Sequence, residues 1–318
     1  MKKVIAILLV LASVLSLAGC TTSTSTSYTS VWGKSNVLET SVYEITVIEG
    51  TDEYFEGAPS VTGTGTYTST ISGGDSEGYT LETVLEFDGT MDFDGKTEDF
   101  TQYITSKVTF SDVTTGFAPT YSEKSYNGTT IVYDYDTNSF SSADLEYTST
   151  VVYDGSDAVV TIKNADGSAV ANGVATETEY SLSSGTFDNE QIFLVGRSLV
   201  KADVESLAFN VLSPITGETS IALYVATADE DSDTTAVVTI NGVAETFDTY
   251  TVSTQLNSSF TSGASTLYLY AKDDTGMVTT SAGNLMEVDR SRLISFMQQV
   301  PYTSSVFSYT MVEYTANN

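Results

Sequence analysis

The chain of 318 residues contains no histidine and a single cysteine, Cys20. Without histidine it has no imidazole ligand for a metal and cannot form a Ser-His-Asp or Cys-His catalytic arrangement. One cysteine cannot build a disulfide framework. Stability must therefore come from the burial of a core, for which this length is ample. We predict a protein with no catalytic residue, no metal site and no cofactor.

Basic residues are also scarce. The sequence has 12 lysines and arginines against 42 aspartates and glutamates, a formal net charge of −30. Such a surface repels nucleic acid phosphates and anionic lipid head groups, so neither is an expected partner. An acidic excess usually indicates only a well-solvated surface, and a specific cation-binding role is the alternative.

The N-terminus has the layout of an export signal. The positive start Met1-Lys2-Lys3 is followed by an apolar run from Val4 to Leu17 and then by Ala18-Gly19-Cys20. The run is shorter than the roughly 20 apolar residues that cross a bilayer. A positive start, an apolar core and small residues before a cleavage site are typical of a secretory signal.

The sequence Leu17-Ala18-Gly19-Cys20 resembles the lipobox of bacterial lipoproteins. The resemblance implies that the Cys20 thiol receives a diacylglyceryl group and that residues 1–19 are removed. Two or three acyl chains give lasting attachment, whereas one holds weakly. We predict an extracytoplasmic protein, anchored to a membrane by its lipid at the periplasmic face or the cell surface. The alternative is an ordinary signal with Cys20 as a free thiol.

The mature chain is expected to have two parts. Residues 20–36 are rich in serine and threonine and predict a flexible tether, in which Trp32 could dock either at the membrane or on the domain. Residues 37–316 predict one domain. Loss of residues 1–19 removes two lysines and leaves 10 basic against 42 acidic groups, a net charge of −32.

The sequence of the domain predicts short strands in which apolar and polar residues alternate. Ser41 to Val47 places Tyr43, Ile45 and Val47 on one face, and Tyr79 to Phe87 repeats the pattern. Hairpin turns are expected at Asp88-Gly89, Asn127-Gly128, Asp154-Gly155, Asp166-Gly167 and Asn241-Gly242. Successive hairpins without helical crossovers indicate an antiparallel meander.

One segment interrupts the strands. Asp188 to Val200 has apolar residues at helical spacing, and Asp188 with Gln191 predicts a capping box. Further strands are expected at 206–212, 219–227, 236–240, 246–252 and 267–272. The final pair, Arg292 to Val300 and Ser305 to Tyr314, is apolar on both faces. Such strands need both faces covered, or one face lining a dry cavity.

These elements resemble the curved antiparallel half-barrels of the periplasmic lipoprotein-carrier type and their uncharacterised relatives. The matching positions are the opening strand, the helix start, the penultimate region and the terminal pair: Glu39–Val47, Phe187-Asp188-Asn189, Leu267–Asp274, Leu293–Val300 and Met311–Tyr314. The resemblance implies a mainly β fold, a large curved sheet with one short helix packed on or in it. It also implies an apolar concave face that holds an acyl chain or another hydrophobic ligand, with the helix as a lid or plug. The residues expected to line the ligand are Ile192, Phe193, Phe296, Phe307 and Tyr309.

Three charged features of the sequence bear on metal binding and ion pairing. Thr90 to Gly95 partly resembles a calcium loop but lacks the first acid and the final glutamate, which favours a hairpin tip. Asp229 to Asp233 predicts an acidic loop, with weak cation binding as the alternative. Arg197, the charged residue of the helical stretch, is expected to form a structural pair with a nearby acid.

The leading hypothesis is a non-enzymatic envelope lipoprotein that binds or carries a hydrophobic molecule. One alternative is a surface scaffold or adhesive module with an envelope protein as its partner. Another is a carbohydrate-binding or carbohydrate-active domain, which requires two carboxylates about 5–10 Å apart in a tyrosine-lined cleft.

Overall fold

Strands dominate the structure because most of the chain alternates apolar and polar residues, the pattern of a sheet with one buried face. The computed structural model describes residues 37–316 apart from the short segments 51–56, 75–77, 94, 112–116, 135, 138, 165, 169–176, 203–205, 215–219, 257–265, 273, 280–284 and 290. Within that part of the chain there are seventeen strands and one α-helix.

The strands before the helix are β1 Val37–Glu49, β2 Ser60–Gly74, β3 Gly78–Phe93, β4 Lys96–Phe110, β5 Pro119–Asp134, β6 Ser139–Asp154, β7 Asp157–Asn164, β8 Glu177–Ser181 and β9 Thr186–Asp188. A 3-10 turn, Asn189–Gln191, leads into the helix α1, Ile192–Ala202. The strands after it are β10 Ser206–Ser213, β11 Ser220–Ile240, β12 Val243–Leu256, β13 Thr266–Ala271, β14 Thr275–Thr279, β15 Leu285–Asp289, β16 Leu293–Gln299 and β17 Ser305–Ala316.

Fifteen strands form one sheet in the order β8-β7-β6-β5-β4-β3-β2-β1-β17-β16-β13-β12-β11-β10-β9. Pairing is antiparallel throughout, except that β9 runs parallel to β10. The first and last strands, β1 and β17, pair at the middle of the sheet. The remaining two strands, β14 and β15, form a separate hairpin. The predicted mainly β class, one large antiparallel sheet with one short helix, is confirmed.

The sheet must curl because its two edge strands are neighbours in sequence. Fifteen strands laid flat would span ~67 Å at the usual spacing of ~4.8 Å. The edges β8 and β9 are nevertheless joined by residues 182–185 alone, and such a connection reaches at most ~18 Å. A hydrogen bond from the Tyr153 hydroxyl of β6 to Asp188 of β9 (2.7 Å) links the two halves. The chain thus bends an open sheet into a nearly closed, barrel-like shell.

The 3-10 turn and the helix begin as the sequence predicts. The Asp188 carboxylate accepts from the Glu190 N–H, and the Gln191 side chain accepts from the Asp188 N–H, which completes the capping box. A cap of this kind satisfies backbone donors that the first helical turn leaves without partners. The helix occupies the concave side of the sheet, against β10 to β13.

Two hydrophobic clusters stabilise the shell. The larger lies between the sheet and the helix and includes Ile45, Leu81, Val195 and Met311, all almost fully buried. The smaller contains side chains of β6 and β7 packed against Leu212 of β10. Because β6 and β10 lie in opposite halves of the sheet, this second cluster also holds the curled edges together.

Two of the expected turns are wrong. Asp88-Gly89 lies inside β3 and Asn127-Gly128 inside β5. Both glycines instead allow the neighbouring strand to pass close to their backbone. A Cβ on Gly89 would lie 2.1 Å from the Thr62 carbonyl oxygen, and a Cβ on Gly128 would lie 2.4 Å from the Thr101 carbonyl oxygen. Glycine inside a strand often marks such an approach.

The other three dipeptides are confirmed as turns. Asp154-Gly155 and Asn241-Gly242 connect successive antiparallel strands, and Asp166-Gly167 follows β7. The glycines have φ of +62°, +78° and +80°, and Asn241 has φ of +52°. Asn-Gly with both residues at positive φ is typical of a two-residue hairpin.

The strands after the helix are longer than expected. The predicted strands 219–227 and 236–240 are one strand, β11, so the expected acidic loop between them is wrong. Its pairing with β12 is irregular between Asp229 and Thr234, which accommodates the acidic run without ending the strand. The β14–β15 hairpin was not predicted. Among the described residues no helix has the length and apolar character needed to cross a membrane.

Candidate functional site

A cavity of about 440 Å³ lies between the concave face of the sheet and the start of the helix. One wall comes from β1 to β5 and the other from β10 to β13, β16 and β17. Eight of the lining side chains are aromatic: Tyr43, Tyr67, Phe193, Tyr224, Tyr268, Phe296, Phe307 and Tyr309. The volume is within the roughly 300–1,000 Å³ of small-molecule sites, which are mostly apolar with a few placed polar groups.

The aromatic wall is rigid because its rings pack on one another across neighbouring strands. Phe296 and Tyr309 are opposite each other in β16 and β17 and stack with centroids 3.9 Å apart. Tyr67 meets both rings edge-on at 5.7 and 5.8 Å. Edge-to-face and offset-stacked pairs are the favoured aromatic geometries. The wall therefore keeps its shape without a ligand.

A row of mostly small hydroxyl side chains crosses strands β1 to β6, and three of its members, Ser69, Thr83 and Lys124, line the cavity. Residues directly opposite one another in β1 to β6 are, in order, Ser41, Ser69, Thr83, Ser106, Lys124 and Ser149. The serines and the threonine are buried. Small side chains at these positions leave room for the 3-10 turn, and Lys124 supplies a cation where the row meets it.

Polar contacts fix the helix in place along its length. The Gln191 amide donates to the Phe117 carbonyl (3.1 Å), and the Tyr270 hydroxyl donates to the Phe193 carbonyl (2.6 Å). A Cβ on Gly196 would lie 2.5 Å from the Tyr270 hydroxyl oxygen, so only glycine allows this approach. These contacts hold the helix in one position against the sheet.

The expected pairing of Arg197 is confirmed. Its guanidinium donates to both carboxylate oxygens of Glu39 in β1, at 2.9 and 3.2 Å, and both side chains are buried. Burial acts to lower the pKa of Arg197, but the Glu39 carboxylate outweighs it and raises that pKa. The pair ties the helix to the middle of the sheet.

A second ion pair lies in the cavity wall. The Lys124 ammonium donates to the Glu190 carboxylate (2.7 Å), and each side chain is only about one-sixth exposed, at 17% and 16%. Burial alone would raise the pKa of Glu190, yet the nearby ammonium holds it below its usual value. Burial likewise opposes the charge of Lys124, but Glu190 raises its pKa. Both groups are therefore charged and neutralise each other.

Asp188 adds a further acid behind this pair. It is almost fully buried, and burial raises its pKa, with the negative charge of Glu190 acting in the same direction. The hydrogen bond from the Tyr153 hydroxyl lowers it in part. Asp188 and Glu190 thus lie at the start of the helical region, where Lys124 of β5 pairs with Glu190.

Three tyrosine hydroxyls lie within the electrostatic reach of Glu190. Burial raises the pKa of Tyr67, Tyr268 and Tyr309, and the Glu190 charge contributes to each increase. Tyr268 also hydrogen-bonds to Thr254. The hydroxyls of Tyr67 and Tyr309 have no hydrogen-bond partner among the described residues. This cavity end therefore offers free hydroxyl donors beside a neutralised ion pair.

The five residues expected to line a ligand surround this one cavity. Ile192 and Phe193 come from the helix, Phe296 from β16, and Phe307 and Tyr309 from β17. Their placement is a geometric fact; that they contact a ligand stays a prediction. Sequence reasoning missed Lys124, Glu190 and the hydroxyl row. Serine and threonine are common throughout this chain, and nothing local connects Lys124 with a residue 66 positions later.

The remaining candidate residues fall elsewhere. Cys20, the signal residues 1–19 and the tether 20–36 lie outside the described residues, as do the side chains of Asp229 to Asp233. Thr90 to Phe93 end β3 and Lys96 begins β4, so the partial calcium motif is a hairpin tip, as expected. In the part of the chain that the structure describes, no three acidic or cysteine side chains are grouped to hold a metal ion.

The described lining residues of the cavity do not include the carboxylate pair that a glycosidase uses. Among its described lining residues the one carboxylate is Glu190, and that group is engaged with Lys124. Glycoside hydrolysis requires two carboxyl groups on either side of the bond that breaks. The cavity lining instead combines eight aromatic side chains with the Lys124–Glu190 pair.

Comparisons with known proteins bear on the fold. No protein-family model matches the sequence, and no curated protein is significantly similar to it. Among solved structures, the chain is similar to the crystal structure of a β-barrel-like protein of the domain of unknown function DUF1849 from Brucella abortus. The match covers 89% of this chain and 98% of that one, with a TM-score of 0.53 and 11% sequence identity. At that identity the likeness shows the fold alone: the chain has a β-barrel-like architecture shared with a protein of unknown function.

Proposed function

We propose that this protein is a non-enzymatic envelope lipoprotein that binds one small hydrophobic molecule in the cavity between the sheet and the helix. The observation that supports this most is the aromatic-walled cavity of about 440 Å³, held open by a helix with fixed contacts. A protein that needed only a packed core would fill such a space, since each unfilled methyl-sized void costs about 1 kcal/mol.

The walls favour an apolar occupant for a simple energetic reason. Burial of apolar surface stabilises a complex by roughly 25 cal/mol for each Å² removed from water. Stacked rings such as Phe296 and Tyr309 present flat apolar faces without reorganisation, because they already pack on each other. A preformed site loses little conformational entropy on binding.

Filling the cavity should weaken binding strongly. Leu85 lines it and is half-buried, so a Leu85→Trp side chain would occupy the ligand's space. We expect the neutral fluorescent probe N-phenyl-1-naphthylamine to bind the wild type, and Leu85→Trp to weaken that binding at least about tenfold, or about 1.4 kcal/mol. Fluorescence titration measures the affinity.

The matched control is Glu86→Trp, which places the same bulk on the exposed outer face one residue along β3. It should leave the probe affinity unchanged, and circular dichroism should show that both variants are folded. Failure of the wild type to bind the probe, or equal binding by both variants, would contradict the proposal.

We place the domain at a membrane outside the cytoplasm, held by a lipid on Cys20. A Cys20→Ser variant lacks the thiol that accepts the lipid, so we expect the protein to move from the membrane fraction to the soluble extracytoplasmic fraction. Immunoblotting of fractionated cells measures this. The variant Ser23→Ala in the tether is the control and should stay with the membrane. A Cys20→Ser protein that still sediments with the membrane would contradict the anchor.

A further inference from the structure

The charges around the cavity limit the chemistry of its ligand. Among the described lining residues the cation is Lys124 and the anion is Glu190, and they are paired at 2.7 Å. Asp188 comes just before the 3-10 turn and is buried. An anionic head group entering here would be a second negative charge beside one ammonium that is already neutralised. Burying a charge without a partner costs several kcal/mol.

The uncharged polar groups of the cavity favour a neutral ligand instead. The hydroxyls of Tyr67 and Tyr309 are free to donate to a ligand oxygen, since neither has a partner among the described residues. Asn189 also lines the cavity, and its buried side-chain oxygen lacks a hydrogen-bond donor in the described part of the chain. Buried polar groups are normally hydrogen-bonded, so the Asn189 oxygen marks where a ligand or water belongs.

Building on the proposed function, we infer that the cavity selects an uncharged single-chain amphiphile, whose neutral carbonyl and hydroxyl head lies beside Tyr67, Tyr309 and Asn189, over the fatty-acid anion of the same chain. The aromatic wall takes the apolar chain, and the tyrosine hydroxyls donate to the carbonyl oxygen. The Lys124–Glu190 pair excludes the anion because it leaves no free cation to neutralise a carboxylate.

The test compares two ligands that share one acyl chain. Decanoylglycerol carries a neutral ester with hydroxyls, whereas decanoate carries a charge. In displacement of N-phenyl-1-naphthylamine from the wild type at neutral pH, we expect decanoylglycerol to bind at least about tenfold more tightly than decanoate. Equal or tighter binding of decanoate would overturn the inference and leave the proposed function standing. No displacement by either ligand, with no probe binding, would overturn both.

Variants of the ion pair test the cause of the selectivity. Glu190→Gln frees the Lys124 ammonium, so the affinity for decanoate should rise at least about tenfold while that for decanoylglycerol changes less than about threefold. The double variant Lys124→Met with Glu190→Gln removes both charges and should lose this gain. A Glu190→Gln protein that is folded by circular dichroism but gains no affinity for decanoate would overturn the explanation.

A hydroxyl deletion tests the neutral contact. Tyr309→Phe keeps the stacked ring but removes one donor, and should weaken the binding of decanoylglycerol by about fivefold. Tyr224→Phe is the matched control, because Tyr224 lines the same cavity but its pKa is raised by burial alone, without a contribution from Glu190. Equal effects of the two changes would contradict the assigned position of the head group.

Discussion

Raising the pH above 10 is expected to unfold this protein cooperatively within about two pH units. Burial is the largest cause of a raised pKa at six interior tyrosines, whose usual value is 10.0: Tyr43, Tyr67, Tyr153, Tyr268, Tyr270 and Tyr309. Their neutral form is strongly favoured in the native state.

The raised pKa values of these tyrosines mean that stability falls as the pH increases. Below pH 10 these tyrosines are neutral in both states, and the stabilisation is fully present. Above pH 10 the unfolded chain releases their protons while the native state holds them, so stability is lost as the pH rises towards the native pKa values. Each tyrosine lowers the free energy of unfolding by up to about 1.4 kcal/mol per pH unit, and the six together lower it by up to about 8 kcal/mol per pH unit. Typical proteins have about 5–15 kcal/mol of stability in total.

The measurement is a pH titration that follows tyrosinate absorbance and circular dichroism together. The absorbance of the buried group should rise in one step that coincides with loss of β structure. Tyr309→Phe should move this midpoint to higher pH. Replacing Tyr103, a residue that is 48% exposed, by phenylalanine should leave the midpoint in place. Gradual ionisation of all 20 tyrosines with the sheet intact would contradict the account.

The second large effect concerns the buried pair between Glu39 and Arg197. Replacing Arg197 by methionine removes the guanidinium that neutralises the Glu39 carboxylate, which is buried at the middle of the sheet. Removal of one member of such a pair typically lowers the free energy of unfolding by about 3–5 kcal/mol. The change also releases the helix from β1, so the cavity should lose its shape along with stability.

Urea unfolding measures this loss, with two comparisons. Lys107→Met breaks the exposed pair with Glu82, whose side chains are about half exposed, and should cost no more than about 1 kcal/mol. The double variant Glu39→Leu with Arg197→Met removes both charges and should recover most of the stability. An Arg197→Met protein as stable as Lys107→Met would show that the buried pair does not hold the helix.

Local sequence patterns predict individual elements of this fold well, because each follows from neighbours along the chain. Tyr43 and Ile45 alternate with polar residues and are buried in β1, and Asp188 with Gln191 begins the helical region. Glycine is harder to interpret. Gly89 and Gly242 both follow a residue common in turns, yet Gly89 lies inside a strand where the neighbouring strand passes too close for a Cβ.

Only the aromatic part of the cavity wall could be predicted from the sequence, because only that part has a local signal. Phe296 and Tyr309 belong to strands that are apolar on both faces, a local signal of a covered or cavity-lining surface. The polar end has no such signal. Lys124 and Glu190 meet because the sheet curls and places the 3-10 turn against β5, and that curvature depends on the pairing of all fifteen strands. The mixed character of the cavity therefore appears only in the folded molecule.

The central claim is that the cavity holds a hydrophobic molecule. Native mass spectrometry of the protein released gently from its membrane tests it most directly, with Leu85→Trp purified in parallel. We expect an added mass on the wild type that extraction with organic solvent removes, and we expect this mass to be absent from Leu85→Trp. A wild-type protein that carries no such mass, and acquires none when incubated with decanoylglycerol, would contradict the account.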